Sequence, residues 1–148
     1  MKNIFIILFL FSPVGFFDTD YKIVRNRFRW VKRDFYEHLQ KRCKLYDIDI
    51  FFALSIAQVE SGGKNVVSKK NRNGTMDYGI FQVNSVHGIH RGYKKNIDIA
   101  MWYLRKCLKK SRGNKKIACI YYNCGLNCNL KSYKKDYPRR VMDVYKNR

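Results

Sequence analysis

The stretch IDIFFALSIAQVESGG, residues 48–63, determines the fold that we expect for this chain. It is apolar almost without interruption until Glu60, and a segment that is apolar nearly all round predicts a buried helix. Either Asp47 or Asp49 can cap its start, and Gly62-Gly63 ends it. Glu60 is then either an ordinary solvated helix terminus or a carboxyl group in apolar surroundings. In the second case desolvation raises the pKa of the carboxyl and keeps a proton available near neutral pH, as a general acid requires.

The segment before this stretch is predicted to form one basic amphipathic helix over residues 18–42. Apolar residues recur there in steps of four and three, with Arg and Lys between them, at Val24, Phe28, Val31, Phe35 and Leu39. Packing against a core explains this pattern, and so does a helix that lies on a membrane surface. We favour core packing, with the basic side chains facing solvent.

The rest of the chain is also predicted to be mostly helical. Helices are expected over about 96–110, 115–123 and 138–145, with loops over 61–76 and 87–92. Strand-like alternation occurs only near residues 78–83. A chain of 148 residues suits one domain. We therefore predict a mainly α domain over residues 43–148, with little or no β structure.

The N-terminus predicts export. Lys2 precedes an apolar run that continues to Phe17, which is shorter than the roughly 20 residues of a membrane helix. This pattern is typical of a signal peptide. Because no clear cleavage site follows, an uncleaved anchor over residues 1–17 that holds the protein at a membrane is the alternative. Either form places the chain in the periplasm or cell envelope.

The formal net charge of +20 indicates an anionic partner. Nucleic acid, anionic lipid and anionic cell-wall polymer all fit this charge, and so does a lysine-rich surface that reflects only coding bias. The five cysteines are an odd number, which leaves at least one thiol outside any intramolecular pair. Cys119, Cys124 and Cys128 lack the spacing of a zinc site, so we predict no metal and no cofactor.

Three motifs follow one another along the chain. They are Glu60-Ser61-Gly62, the segment DYGIFQVNS at residues 77–85, and the segment ACIYYNCG at residues 118–125. Their order and separations resemble the lytic transglycosylases of the lysozyme-like superfamily. That family has Glu-Ser, then Gly-x-x-Gln with an Asn nearby, then Tyr-Asn at the end of a helix. The resemblance covers about residues 43–126 and is nearest to the small specialised muramidases that accompany secretion and conjugation machinery.

The resemblance implies a lysozyme-like fold of the goose-type and transglycosylase kind. It also implies cleavage of the β-1,4 bond between N-acetylmuramic acid and N-acetylglucosamine in peptidoglycan, with 1,6-anhydro ends as products. Glu60 would be the catalytic residue, first as acid and then as base. The expected partners are glycan strands and, by analogy, secretion-system or envelope proteins; no nucleic acid is expected.

The resemblance also assigns substrate-binding roles. Gln82 and Asn84 would hydrogen-bond the sugar, while Tyr122 and Asn123 would orient Glu60 and the N-acetyl group. Ser68 would match a loop serine of the family, although it is one residue closer to Glu60 than is usual there. Each of these residues also has a purely structural explanation: the two amides can satisfy buried backbone groups and Tyr122 can be a core aromatic.

Asp77 is the residue that separates two mechanisms. The segment from Asp77 also resembles animal c-type lysozymes, in which a second carboxylate precedes Tyr-Gly. A hydrolase that uses Glu60 and Asp77 is therefore an alternative, although a structural role for Asp77 at a turn is favoured. A non-catalytic basic module that binds cell wall or nucleic acid is the other alternative, because aromatic and basic residues interleave over residues 28–33.

A disulfide between Cys43 and Cys119 is implied by the same resemblance, since related small muramidases have a comparable pair. Such a bond would join the helix that carries Glu60 to the helix that ends at Tyr122-Asn123. Spacing alone does not define the connectivity of the five cysteines.

Overall fold

Six helices and one very small hairpin make up the computed structural model, which describes residues 14–89 and 92–147. The elements are α1 (Val14–Arg27), α2 (Arg33–Tyr46), α3 (Ile50–Ser61), β1 (Asp77–Tyr78), β2 (Val83–Asn84), α4 (Tyr93–Lys110), α5 (Lys115–Cys124) and α6 (Tyr137–Lys146), with a short 3₁₀ helix at Ser85–His87. The prediction of a mainly helical domain with little β structure is confirmed.

Helix α3 lies at the centre of the core. Asp49 caps its start, because its carboxylate accepts hydrogen bonds from the backbone N–H groups of Phe51 and Phe52. The side chains of Phe52, Leu54 and Ile56 have no exposed surface. Gly62 ends the helix in a left-handed conformation, at φ 63°. The predicted buried helix is thus confirmed, and Asp49 rather than Asp47 is its N-cap.

The prediction of one continuous helix over residues 18–42 is wrong, because the chain breaks between α1 and α2. In a continuous helix Phe28 and Trp30 would point in different directions, since residues two apart do not share a face. The break lets Phe28 and Val31 enter the core while the Trp30 indole N–H donates to the Gln58 side-chain oxygen at 2.7 Å. The Arg25 guanidinium donates to the carbonyl of Val31 at 2.9 Å and so stabilises the turn.

The N-terminal helices belong to the same core as the rest of the domain. All five apolar residues of the predicted amphipathic pattern are buried, from Val24 to Leu39. They form one cluster with residues of α3, α4 and α6. Helix α2 continues through residue 43, so the division of the chain at that point falls inside a helix. The core-packing interpretation is confirmed.

The hairpin of β1 and β2 pairs Asp77 with Asn84 and Tyr78 with Val83. Buried Asn96 of α4 anchors the hairpin through two hydrogen bonds. The Asn96 side-chain N–H donates to the Tyr78 carbonyl at 2.8 Å, and the Asn96 side-chain oxygen accepts from the Phe81 N–H at 3.0 Å. The position of the hairpin relative to α4 is therefore fixed by an amide that the sequence places inside a helix.

The Cys43–Cys119 bridge is contradicted. Cys43, Cys107 and Cys119 are free and buried, whereas Cys124 and Cys128 form a disulfide directly after α5. Helix α4 packs against both α2 and α5, and the Cys43 sulfur lies 3.8 Å from the sulfur of Met101 on α4. Burial raises the pKa of each of the three free thiols to about 12, which keeps them protonated and unreactive.

The predicted leader over residues 1–17 lies mostly outside the described residues, and α1 begins at Val14. Within residues 14–89 and 92–147, none of the helices combines the length and hydrophobicity that a bilayer crossing requires.

Replacing Gly63 by Ala should destabilise the fold, because Gly63 has φ 79° and an added Cβ would lie 2.1 Å from the Trp30 ring. Left-handed strain and overpacking together predict a loss of about 2–5 kcal/mol in the free energy of unfolding. The matched control is Gly113→Ala, where φ is 81° and nothing lies within 4 Å of the added Cβ. It should lose only the left-handed contribution of about 1–2 kcal/mol. Urea unfolding followed by circular dichroism measures both; equal losses would show that Trp30 does not press on Gly63.

Candidate active site

A cleft of about 650 Å³ opens beside the C-terminal end of α3. Its walls come from the loop before β1, the hairpin, and the ends of α3 and α5. The lining residues are Glu60, Asn71, Arg72, Asn73, Thr75, Asp77, Gln82, Val83, Asn84, Val86, His87, Tyr103, Tyr122, Asn123, Cys124, Gly125 and Lys135. Six of the seven predicted site residues are in this wall, which brings together three motifs that are far apart in sequence.

Glu60 is partly buried at the last turn of α3 and has one direct side-chain partner among the described residues. The hydroxyl of Tyr137, from α6, donates to its Oε1 at 2.5 Å. Burial raises the pKa of Glu60 to about 7, and the negative charge of Asp77 acts in the same direction. The Tyr137 hydrogen bond and the charges of Arg140 and Lys135 lower the pKa but do not outweigh burial. Glu60 can therefore donate or accept a proton near neutral pH.

The carboxylate of Asp77 is held by two amides. Asn84 donates to its Oδ1 at 2.8 Å, and Asn71 donates to its Oδ2 at 3.2 Å. Both oxygens therefore have a hydrogen-bond donor within the protein. This arrangement supports a structural role at the base of the hairpin, and it also places a fixed negative charge in the cleft near Glu60.

The amide nitrogens of Gln82 and Asn84 are engaged with the protein. The Gln82 amide donates to the carbonyls of Gly79 at 2.8 Å and Val66 at 3.1 Å. The Asn84 amide also donates to Thr75 at 2.9 Å, and its oxygen accepts from the Val86 N–H at 3.1 Å. Both side chains line the cleft, and their predicted contacts with a sugar stay predictions.

Tyr122 and Asn123 end α5 on the opposite wall. The Tyr122 hydroxyl donates to the Phe81 carbonyl at 2.9 Å, and the Asn123 oxygen accepts from the Tyr133 hydroxyl at 2.9 Å. Burial and the nearby Glu60 charge raise the pKa of Tyr122 well above its ordinary value, so it stays a neutral donor. Tyr122 thus connects α5 to the hairpin, and the side chain that orients Glu60 is Tyr137.

Ser68 does not line the cleft. Its hydroxyl accepts from the Asp77 N–H at 2.8 Å and donates to the Lys69 carbonyl at 2.9 Å. In this position Ser68 orders the backbone that carries Asp77. A role for Ser68 in substrate binding stays a prediction.

Tyr137, Lys135 and Asn71 belong to the site but were not predicted. Tyr137 is 77 residues from Glu60 and lies in no recognised motif. The sequence signal for the position of Tyr137 is indirect. Pro138 predicts the start of a helix, and the apolar stripe on that helix must be buried against another element. Helix α6 packs most extensively on α3, which brings Tyr137 to Glu60.

Comparisons with known proteins match the part of the chain that contains this cleft. The family described as "Transglycosylase SLT domain" matches residues 37–142. Lysozyme C of Penaeus merguiensis is 36% identical over 66 residues, which are 45% of this chain and 42% of that protein. The chain thus spans less than half the length of the curated relative that it matches. No solved structure matches the chain significantly.

Replacing Glu60 by Gln should stabilise the protein at alkaline pH. The pKa of Glu60 is raised from 4.5 in the unfolded chain to about 7 in the folded protein. Below pH 4.5 both states hold the proton; as the pH rises to about 7 the unfolded chain releases it first, so the stability of the native protein falls. At pH above about 7 Glu60→Gln should therefore be more stable than the native protein by roughly 3 kcal/mol, and near pH 4 by almost nothing.

Denaturant unfolding at several pH values measures this difference. The control is Glu37→Gln, which removes an exposed carboxylate of α2 and should show no such divergence. A Glu60→Gln variant that is less stable than the native protein at pH 8 would contradict the burial argument.

Proposed function

We propose that this chain, which belongs to the transglycosylase SLT domain family of the lysozyme-like superfamily, is a peptidoglycan lytic transglycosylase. The observation that carries the proposal is the Glu60 carboxyl: it has a pKa of about 7, and it faces a cleft lined with amides, tyrosines and two cationic side chains. A glycan cleaved by acid catalysis needs a protonated carboxyl at the scissile bond. Burial of Glu60 provides such a group near neutral pH.

In the proposed reaction Glu60 acts twice. It first donates its proton to the glycosidic oxygen between N-acetylmuramic acid and N-acetylglucosamine, and the bond to the anomeric carbon breaks. The N-acetyl oxygen of the muramic residue assists at that carbon. Ionised Glu60 then removes the proton of the C6 hydroxyl, whose oxygen attacks the anomeric carbon and closes the 1,6-anhydro ring. Glu60 is protonated again at the end, so no water is consumed.

Two features of the cleft support one active carboxylate rather than two. Both oxygens of Asp77 accept hydrogen bonds from amides, so its position is set by the hairpin. Tyr137 holds one oxygen of Glu60 and leaves the other outside that bond. We assign Asp77 the role of a fixed negative charge that adds to the effect of burial in raising the pKa of Glu60.

Hydrolysis by Glu60 and Asp77 is the second candidate. The similarity to a lysozyme favours it, as does the presence of a second carboxylate in the same cleft. In that mechanism Asp77 would act on the sugar as nucleophile or base, and the products would carry reducing ends.

The charge of the protein suits a cell-wall substrate. The net charge is +20, and Arg72 and Lys135 line the cleft. The lactyl and peptide carboxylates of peptidoglycan are anionic, so these cations attract the strand to the site. Export to the periplasm or cell envelope, and work beside secretion or envelope proteins, form part of the proposal and rest on the N-terminal apolar run alone.

Mass analysis of the muropeptides released by the purified protein should find anhydro-ended fragments. Glu60→Gln should lose activity by about 10²–10⁴-fold, since it removes the general acid and base. Asp77→Asn should lose no more than about tenfold, the effect of one altered hydrogen bond. Reducing ends together with equal losses in both variants would establish the hydrolase instead. Binding of cell wall without any release of fragments would identify a non-catalytic module.

Replacing Tyr137 by Phe should move the pH profile of catalysis. The hydroxyl of Tyr137 stabilises the ionised form of Glu60, so its loss raises the pKa of Glu60 further. The alkaline limb of kcat/KM, which reports the essential acid of the free enzyme, should shift upward by about one pH unit. Tyr133→Phe is the control, because its hydroxyl donates to Asn123 and not to Glu60. An alkaline limb that stays in place or moves to lower pH in Tyr137→Phe would refute this role.

A further inference from the structure

A second cavity of about 440 Å³ lies beside the cleft and takes no part in the mechanism above. It is lined by Tyr46, Val86, His87, Asp98, Ile99 and Trp102. Val86 and His87 also line the main cleft, so the two cavities share one wall. A strand that leaves the cleft past the 3₁₀ helix at Ser85–His87 therefore meets this cavity next.

Aromatic rings connect the two cavities in an unbroken series. Tyr122, in the wall beside Glu60, lies 5.7 Å from the ring of Tyr103, and Tyr103 lies 5.0 Å from the ring of His87. His87 in turn lies 5.8 Å from Trp102. Rings at these distances support one another and form a rigid surface. The series runs from the cleft to the exposed end of the second cavity.

Trp102 is unusual because it is a large aromatic side chain on α4 that is 38% exposed. The amine of Lys106 lies 3.7 Å from its ring centroid, so a sugar would have to stack on the opposite face. Val86, next to it in the cavity wall, is 68% exposed. An apolar patch of this kind, adjacent to a polar cleft, is typical of a binding surface.

Asp98 provides a polar group of fixed position in the same cavity. Its Oδ1 contacts His38 Nε2 at 2.7 Å and Arg42 Nε at 2.6 Å. Both contacts fall on one oxygen, so Oδ2 lies outside them. A stacking face next to a carboxylate oxygen matches a sugar ring, which has an apolar C–H face and donates from hydroxyl or acetamide groups at its edge.

We propose that the second cavity is an additional subsite that binds one more N-acetylhexosamine ring of the glycan strand, stacked on Trp102 and hydrogen-bonded to Asp98. This inference rests on the proposed function, because it takes the occupant of the main cleft to be a glycan. The two cavities share Val86 and His87 as lining residues, and this proximity favours the same strand over a separate ligand.

If the subsite exists, the effect of a substitution in it on kcat/KM depends on the length of the glycan strand. The effect of a substitution at a catalytic residue does not. Trp102→Ala should lower kcat/KM about tenfold on long glycan strands, by the loss of one stacking contact. On the shortest cleavable strands, which fill only the main cleft, it should change kcat/KM little. Trp102→Phe should recover most of the loss, because it restores an aromatic face. Leu130→Ala is the matched control, since Leu130 is also 38% exposed and lines neither cavity.

Equal losses on short and long strands, or no loss on either, would overturn the subsite. A separate binding measurement keeps this test independent of catalysis. The chain has two tryptophans, Trp30 and Trp102. In a Glu60→Gln background, titration with N-acetylglucosamine oligomers of increasing length should show an additional fluorescence change once the oligomer is long enough to reach Trp102, and Trp102→Phe should abolish this length-dependent change. A length-dependent change that survives in Trp102→Phe would reject the subsite. If the subsite responds but the native protein releases no fragments, the proposed catalysis is wrong and the binding inference stands.

Discussion

The hydrogen bond between the Tyr137 hydroxyl and the Glu60 carboxyl is the contact on which the architecture of the site depends. It joins α6 to α3, two helices that are far apart in sequence and pack extensively on each other. A carboxyl group at the end of a buried helix loses hydration, which raises its pKa. The Tyr137 hydroxyl, with the charges of Arg140 and Lys135, moderates that effect, and the pKa of Glu60 is about 7. The fold therefore holds Glu60 between two protonation states, which is the condition for donating and then accepting the same proton.

The hairpin opposite Glu60 is positioned by groups from three helices. Asn96 of α4 bonds the backbone at Tyr78 and Phe81, and Ser61 of α3 donates to the Ile80 carbonyl at 2.7 Å. Tyr122 of α5 donates to the Phe81 carbonyl. A hairpin with two-residue strands has almost no stability of its own. Its position is consequently set by the helices, and these hold the hairpin that carries Gln82 and Asn84 in the wall of the cleft.

Residues near a motif were predictable, and residues that reach the site through tertiary packing were not. Glu60, Asp77, Gln82, Asn84, Tyr122 and Asn123 all line one cleft, because each motif ends or begins a helix or hairpin at the same side of α3. Tyr137 arrives through the packing of α6, which no local pattern encodes. The break at residues 28–32 was missed because Phe28 and Val31, which lie within it, keep the helical spacing of the apolar residues before and after them. The cysteine pairing was wrong because α4 separates Cys43 from Cys119, and spacing contains no information on what lies between two helices.

The packing of Trp30 means that the family domain is not a self-sufficient module in this chain. The family match begins at residue 37, whereas the Trp30 ring lies against Gly63 and bonds Gln58, which are three and two residues from Glu60. A fragment cut to the bounds of the family would retain every residue of the cleft. It would also lose the Trp30 side chain that packs on the end of α3, next to the turn that carries Glu60. In this protein the segment ahead of the shared domain is therefore part of the surroundings of Glu60, and exchange of domains between relatives would have to include it.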